Sequence, residues 1–305
     1  MFRRSALSGR RRWSDARGQK FPPSNPPPIF VRSPNKKDLQ NQRDGVYLNH
    51  YFYSEIKTMY VKLEPFGWNI YGETIGGAWL SLVEAINKNG ILTEDEDRKR
   101  LSLQNIRIKS VTQSFPDPFI EKYGNKKNVD EIINLTFNEE VMRDFDVVPS
   151  FSPGSKSYYA RLKDWGMIDF VVERLAEIPE SKKAIMSFVR QEDYQRTLEK
   201  PKDDYLPCIT TVQFRLIKIS NERGYHMNTL FNARSIDAYQ KAGGNFAAIS
   251  LLSKEVAGRL TEKLKTQIWV GPLDGFLTDA HIYQESIEEA KEIIKLYKHY
   301  DQNTE

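Results

Sequence analysis

Cys208 is the only cysteine in the chain, and it follows Pro207 at the start of a strand-like run, Thr211 to Ile217. A thiol with no internal disulfide partner is either a buried small hydrophobe or a nucleophile, and its neighbours decide which. Arg234, in Ala233-Arg234-Ser235-Ile236-Asp237, could lower the thiol pKa if the fold brings the two together. Arg234 and Ser235 also offer a donor fork and a hydroxyl suited to phosphate. The plainer alternative is a surface ion pair between Arg234 and Asp237. Asn245, after Gly244, carries an amide that can grip the edge of a planar base. His281 and Tyr283 flank Ile282, so on a strand both rings point to one face. They suit a ligand hydroxyl, or else they are satisfied core side chains. The four His are scattered and no His/Cys cluster has ligand spacing, so no metal is expected.

The chain has 305 residues, enough for one large domain, and 39% hydrophobic content with 12% aromatics speaks for a packed core over disorder. A single cysteine suits a reducing, cytoplasmic setting. No apolar run approaches the roughly 20 residues of a membrane span. Charge is uneven. Residues 1–37 hold ten of the 45 Lys/Arg and one of the 41 Asp/Glu, which leaves 35 basic and 40 acidic residues and a net −5 elsewhere. This Arg- and Pro-rich segment reads as a disordered arm, either a plain solvated tail or a polyanion-binding or transit-like segment. Residues 38–305 read as the folded domain.

Alternating aromatics between Gln40 and Gly72 suggest strands. Gly72 to Gly77 leads into a helix over Ala78–Ile86 that stops near Asn89-Gly90; no Lys-Ser/Thr follows, so this is no phosphate loop. Further along, Glu94 to Arg100 reads as a charged loop, Ile106 to Val111 as a strand, and Pro116 to Pro149 as polar loop with short helix. Ser150 to Gly154 reads as a turn. Helices are expected from Tyr158 and over Ile168–Ile178, halted by Pro179. Ala184 to Val189 reads as a buried strand and Gln191 to Asp204 as a charged loop. A hairpin turning at Asn221 to Gly224 follows Cys208, then a long apolar helix over Phe246–Leu260. Strands over Gln267–Val270 and Gly275–Ile282 and a helix over Glu285–Tyr297 close the chain. Alternating strands and helices with hairpins predict an α/β (α+β) fold, a mixed sheet covered by helices.

Taken in order, Leu206-Pro207-Cys208, Gln213-Phe214, Arg234-Ser235-x-Asp237, Gly244-Asn245, the long helix and Asp279-Ala280-His281-Ile282-Tyr283 resemble the thymidylate synthase family. Tyr158-x-x-Arg161 and Ser181-Lys182-Lys183-Ala184 extend the resemblance over about half the chain. It implies a homodimer through the sheet and a one-carbon transfer from 5,10-methylenetetrahydrofolate to C5 of a pyrimidine nucleoside monophosphate. Cys208 would add to C6. Arg234 and Ser235 would bind the 5′-phosphate, and Asn245 the base at N3 and O4. Asp237 would order base and folate. His281 and Tyr283 would hold the ribose 3′-hydroxyl, and Tyr158 would serve removal of the C5 proton. Lys182 and Lys183 fall where the family has paired arginines that reach the partner's phosphate.

The chain also departs from the family. Lysine, a point charge, replaces a bidentate fork at two positions. The phosphate-loop arginine has no evident match, Glu84 is the nearest candidate for the catalytic glutamate, and Ile209 follows the nucleophile where many relatives have a polar residue. The resemblance therefore implies a divergent nucleotide methylase or hydroxymethylase. Asn245 favours uracil; a cytosine-acting hydroxymethylase and a non-catalytic nucleotide or RNA binder are the alternatives.

Overall fold

The computed structural model describes residues 60–64, 67–95, 98–142, 155–199, 205–218 and 223–302, all within one compact unit, 50–305. The basic arm, the aromatic run before residue 60, the turn at 150–154 and the hairpin tip at 219–222 lie outside the described residues.

Nine strands form one mixed sheet in the order β1-β2-β4-β9-β7-β6-β5, with β3 paired to β4 and β8 to β9. These are β1 (Tyr60–Glu64), β2 (Gly67–Gly72), β3 (Ile91–Asp95), β4 (Arg98–Ser110), β5 (Ile185–Ser187), β6 (Ile209–Lys218), β7 (Gly224–Ala233), β8 (Ile236–Asp237) and β9 (Gln267–Tyr283). The pairs β2/β4, β7/β9 and β8/β9 are parallel and the rest antiparallel.

Where two C-terminal strands are expected, β9 runs unbroken for 17 residues. It crosses Gly271 and Gly275 because neighbours press in at both: a Cβ on Gly275 would lie 2.3 Å from the Phe231 ring. The expected charged loop at 94–100 is instead the β3–β4 hairpin, Asp95 opposite Arg98. Cross-strand packing there outweighs the polar composition. The stretch after Ala184 gives three strand residues of which Met186 alone is buried, an edge strand rather than a core one.

The helices are α1 (Ile75–Asn89), α2 (Pro118–Tyr123), α3 (Lys126–Phe137), α4 (Tyr158–Asp164), α5 (Met167–Glu177), α6 (Gln191–Glu199), α7 (Ala242–Leu264) and α8 (Ile287–Gln302). The glycine-rich entry to α1 is closed by Thr74, whose hydroxyl accepts the Gly77 N–H. The segment expected as polar loop with short helix holds two helices, α2 and α3, each started by a side-chain cap, Asp117 and Asn125. The segment 191–199, expected as loop, is α6. Asp193 explains it, since its carboxylate takes both Arg161 N–H groups and the Arg190 main-chain N–H and ties α6 to α4. No helix among the described residues is long and apolar enough to cross a membrane.

One sheet face is covered by helices. Trp79 of α1 is buried there and donates to the Ala238 carbonyl at 2.8 Å. Its ring lies against Gly243 of α7, while Ile132 and Val129 of α3 lie against Gly244. Cross-strand partners share a face. The register therefore puts Ile185, Gln213, Leu230 and Asp274 in one row across the opposite face, with Ile217, His226 and Trp269 in another. Ile185, Ile217, Leu230, Trp269 and Phe276 are exposed.

Candidate active site

The site forms where β6 begins and β7 and β9 end. Cys208 is half-buried and free. Its carbonyl accepts the Arg234 main-chain N–H at 2.9 Å, because Ile209 opposes Ala233 in the β6/β7 ladder. The exposed Arg234 guanidinium folds back over this loop, with Nε donating to the Pro207 carbonyl at 3.2 Å and Nη2 to that of Leu206 at 2.6 Å. Its Nη1 has no protein partner among the described residues.

Tyr158, the first residue of α4, enters the same loop. Its hydroxyl accepts the Ile209 N–H at 2.9 Å, and its ring stands edge-on to Phe188 at 5.0 Å. Burial and the nearby Cys208 push this phenol up, against the lowering pull of the Ile209 N–H, the Tyr205 hydroxyl and the Arg234 charge.

On the other side of Arg234, Ser235 Oγ lies 3.3 Å from His281 Nδ1. Asp279 Oδ1 is 3.1 Å from the same nitrogen, and Asp279 Oδ2 accepts from Ser102 at 2.5 Å. A carboxylate only accepts, so the Asp279 contact is made with the proton on Nδ1. Arg100 Nη1 lies 3.3 Å from Nδ1 and pairs with Asp95 at 3.2 Å. Burial raises the Asp279 carboxyl, but hydrogen bonds from His281 and Ser102 with the Arg100 charge outweigh it and hold the group below the ordinary carboxylate range. The Tyr283 ring stacks edge-on with His281 at 4.8 Å and carries the Arg98 guanidinium 3.5 Å from its centre.

Asp237 is buried, and Oδ1 accepts the Tyr239 and Gln240 N–H groups. It shapes the turn into α7 rather than forming the surface pair considered from sequence. Asn245 lies in the first turn of α7 and is 9% exposed. Lys182 and Lys183 do not join the cluster. Both are exposed, and the Lys182 carbonyl bonds Gln213, five residues from Cys208 along β6. That separation is about 16 Å at the ordinary strand rise.

Glu84 is held at 2.5 Å by both Lys88 and Lys298, in the contact of α1 with α8, and it does not enter this site. A second acidic candidate is Glu131 of α3. Asn128, one turn earlier on the same helix face, reaches the Gln240 carbonyl at 3.5 Å. Glu131 Oε1 is buried with no hydrogen-bond partner. The apolar spacing of Val129, Ile132, Leu135 and Thr136 around it, all buried, was the available signal. Arg98 and Arg100, hidden in the supposed loop, supply cations at Tyr283 and His281. Asp279 was readable from the strand alternation that groups it with His281 and Tyr283.

No cluster of three or more His, Cys, Asp or Glu among the described residues could hold a metal ion. The family model described as thymidylate synthase matches residues 91–302. Among curated proteins, none matches the chain.

Proposed function

The chain belongs to the thymidylate synthase family of pyrimidine one-carbon transferases, and from that membership we propose that it methylates or hydroxymethylates C5 of a pyrimidine nucleoside monophosphate, uracil in preference to cytosine. One observation carries the reading: the Cys208 carbonyl takes the Arg234 N–H, and Ser235, the next residue, lies 3.3 Å from His281, at one end of the sheet.

Each residue then has a chemical task. The Cys208 thiolate adds to C6, breaking the C5–C6 double bond and moving charge to O4, where the Asn245 amide donates. The 5′-phosphate takes Arg234 Nη1 and the Ser235 hydroxyl, with Arg98 and Arg100 adding positive charge behind the sugar. His281 Nε2 and the Tyr283 hydroxyl bind the 3′-hydroxyl. Tyr158 serves removal of the C5 proton, and Glu131 is the acid–base carboxylate at the base edge. Lys182 and Lys183 reach the phosphate of a partner subunit in a homodimer. Asn245 favours uracil because an amide donates to O4 while accepting from N3–H, a pattern that cytosine reverses.

Methylenetetrahydrofolate, when bound, supplies the one-carbon unit and, for a methyl product, the hydride. The residues present fit it. Glu131 Oε1 and Gln240 Oε1 are both buried without a hydrogen-bond partner, and a pterin presents N–H donors that complement such acceptors. Asp237, which takes the Gln240 main-chain N–H, would hold the turn that carries Gln240.

The test is tritium release from C5-labelled dUMP, UMP, dCMP and CMP with methylenetetrahydrofolate. Release from uracil nucleotides is expected. Release only from cytosine nucleotides overturns the base assignment. Retained nucleotide binding without any release points to a non-catalytic relative. Mass spectrometry of the base separates methyl from hydroxymethyl.

A further inference from the structure

Lys182 and Lys183 are exposed, and neither ammonium has a hydrogen-bond or ion-pair partner among the described residues. The backbone beneath them is held at every residue. The buried Ser181 donates its main-chain N–H to the Ile178 carbonyl at 3.0 Å, and Ile185 donates to the Lys183 carbonyl at 2.9 Å. Ser181 Oγ accepts twice, from the Lys183 N–H at 3.2 Å and from Arg174 Nε of α5 at 2.7 Å. From the sheet, Gln213 Nε2 of β6 donates to the Lys182 carbonyl at 2.8 Å, a reach set by the pairing of Gln213 with Ile185. Two side chains from different elements thus clamp a three-residue turn. Arg174 bonds a neutral hydroxyl and, like the lysines, forms no ion pair among the described residues, so its charge adds to theirs.

We infer that Arg174 and Gln213 are positioning residues for the lysine pair, clamping a turn that presents two cations to the phosphate of a nucleotide held by a second copy of this chain. The inference rests on the function proposed above and adds the residues that aim its contact between subunits. A lysine is a point charge on a flexible stem, without the fork by which arginine fixes its own geometry on a phosphate. Its placement therefore depends on the backbone that carries it, and a fixed backbone leaves less to be ordered when the anion arrives. Gln213 also lies in the row with Ile185, Leu230 and Asp274 on the sheet face opposite the helices. A second copy covering that face would cover the Gln213–Lys182 bond and strengthen it by excluding water. Docking and aiming are joined in one side chain.

The test compares Arg174→Met, Gln213→Met and the pair Lys182→Ala with Lys183→Ala in the full chain, alone and combined. Methionine keeps the stem and removes the donor. Tritium release gives kcat and KM, and equilibrium dialysis gives Kd for dUMP. Each clamp variant should raise KM and Kd about 3-fold or more, with kcat within about 2-fold and the dimer intact in sedimentation. Added to the lysine variant, neither should raise them further, a non-additivity that a merely structural role would not produce. Hydrogen exchange over residues 181–185, read by mass spectrometry, should quicken in both clamp variants. Exchange as slow as wild type, or an increase in Kd that adds to that of the lysine variant, overturns the role. A Kd that responds to the lysines but not to the clamp also overturns it and leaves the contact between subunits standing. A Kd indifferent to the lysine pair overturns that contact and this role together. If no nucleotide is turned over, the reaction falls and the Kd cycle still decides the role.

Discussion

The Arg234 main-chain N–H donates to the Cys208 carbonyl at 2.9 Å. The residue that would bind the anion is thus anchored to the one that would attack. A slip of β6 against β7 by one residue would break this bond and turn every side chain of the strand to the other face. The β6/β7 register therefore sets the reactive geometry, although 26 residues of sequence separate the pair.

Cys208→Ala should abolish turnover, about 1,000-fold or more, because no other thiol exists to form the C6 bond. Nucleotide affinity should stay within a few-fold, since the phosphate and sugar contacts persist. Tritium release and equilibrium dialysis check the two halves. Residual turnover near wild type would mean that the sulfur is not the nucleophile.

Glu131→Gln keeps shape and removes the acid–base function. The expected loss is about 100-fold or more in kcat with a small change in KM. Stability should hold or rise slightly, because the variant buries a neutral amide where an unpartnered carboxylate oxygen now sits. Glu84→Gln should leave kcat unchanged, its carboxylate being engaged by Lys88 and Lys298. Steady-state rates and urea melts of the two variants decide between the carboxylates.

The sequence made the C-terminal site legible because Cys208, Arg234, Asn245 and His281 lie in or beside strongly patterned elements. The same patterning hid the rest. Arg98 and Arg100 sit in a run of alternating charge that reads as loop, and only the β3–β4–β9 pairing shows that they face Tyr283 and His281. A short helix was readable among the polar residues of 116–149, but neither the bounds of α3 nor Glu131 stood out within it. The ladder across β7 and β9 is long-range, and no local signal in residues 267–283 announces an unbroken strand.

Asp279 ties pH to stability. Its carboxyl is held below the unfolded value by His281, Ser102 and Arg100 despite burial. Between the folded and unfolded values the unfolded chain binds more protons, so stability rises with pH there. The contribution is fully present above about pH 4, the unfolded Asp value, and is lost as pH falls through the depressed folded value. Asp279→Asn should flatten this acid limb in urea titrations from pH 2 to 5. It should also raise KM for nucleotide, since the His281 tautomer loses its acceptor. An unchanged limb would mean that the network does not persist in solution.

Asp193→Ala should destabilise the fold by about 3–5 kcal/mol, because it leaves the Arg161 guanidinium buried without its counter-charge. The two side chains are 3% and 8% exposed. Replacing both, Arg161→Met with Asp193→Leu, should cost far less than the single change. Urea unfolding of the three variants gives the comparison. Equal losses for single and double variants would show that packing, not charge, dominates the α4–α6 contact.

The sheet face opposite the helices carries the last prediction. Ile217, Leu230, Trp269 and Phe276 are each more than one-third exposed, on a broad face with Gln213, Arg215 and Asn232 between them. Such an apolar face is what a second copy would cover. Lys182 and Lys183 sit at the edge of the same sheet, remote from the Cys208 loop of their own chain, so a face-to-face dimer gives them a phosphate to reach. Leu230→Glu with Phe276→Glu should convert a sedimenting dimer to monomer. It should also raise KM for nucleotide about 10-fold, as two lost charge-assisted contacts would. Lys182→Ala with Lys183→Ala should raise KM by the same factor while leaving the dimer intact. Because the two variants remove the same contacts by different routes, combining them should raise KM no further. A monomeric wild type with full activity, or additive effects in the combination, would remove the lysines from the site.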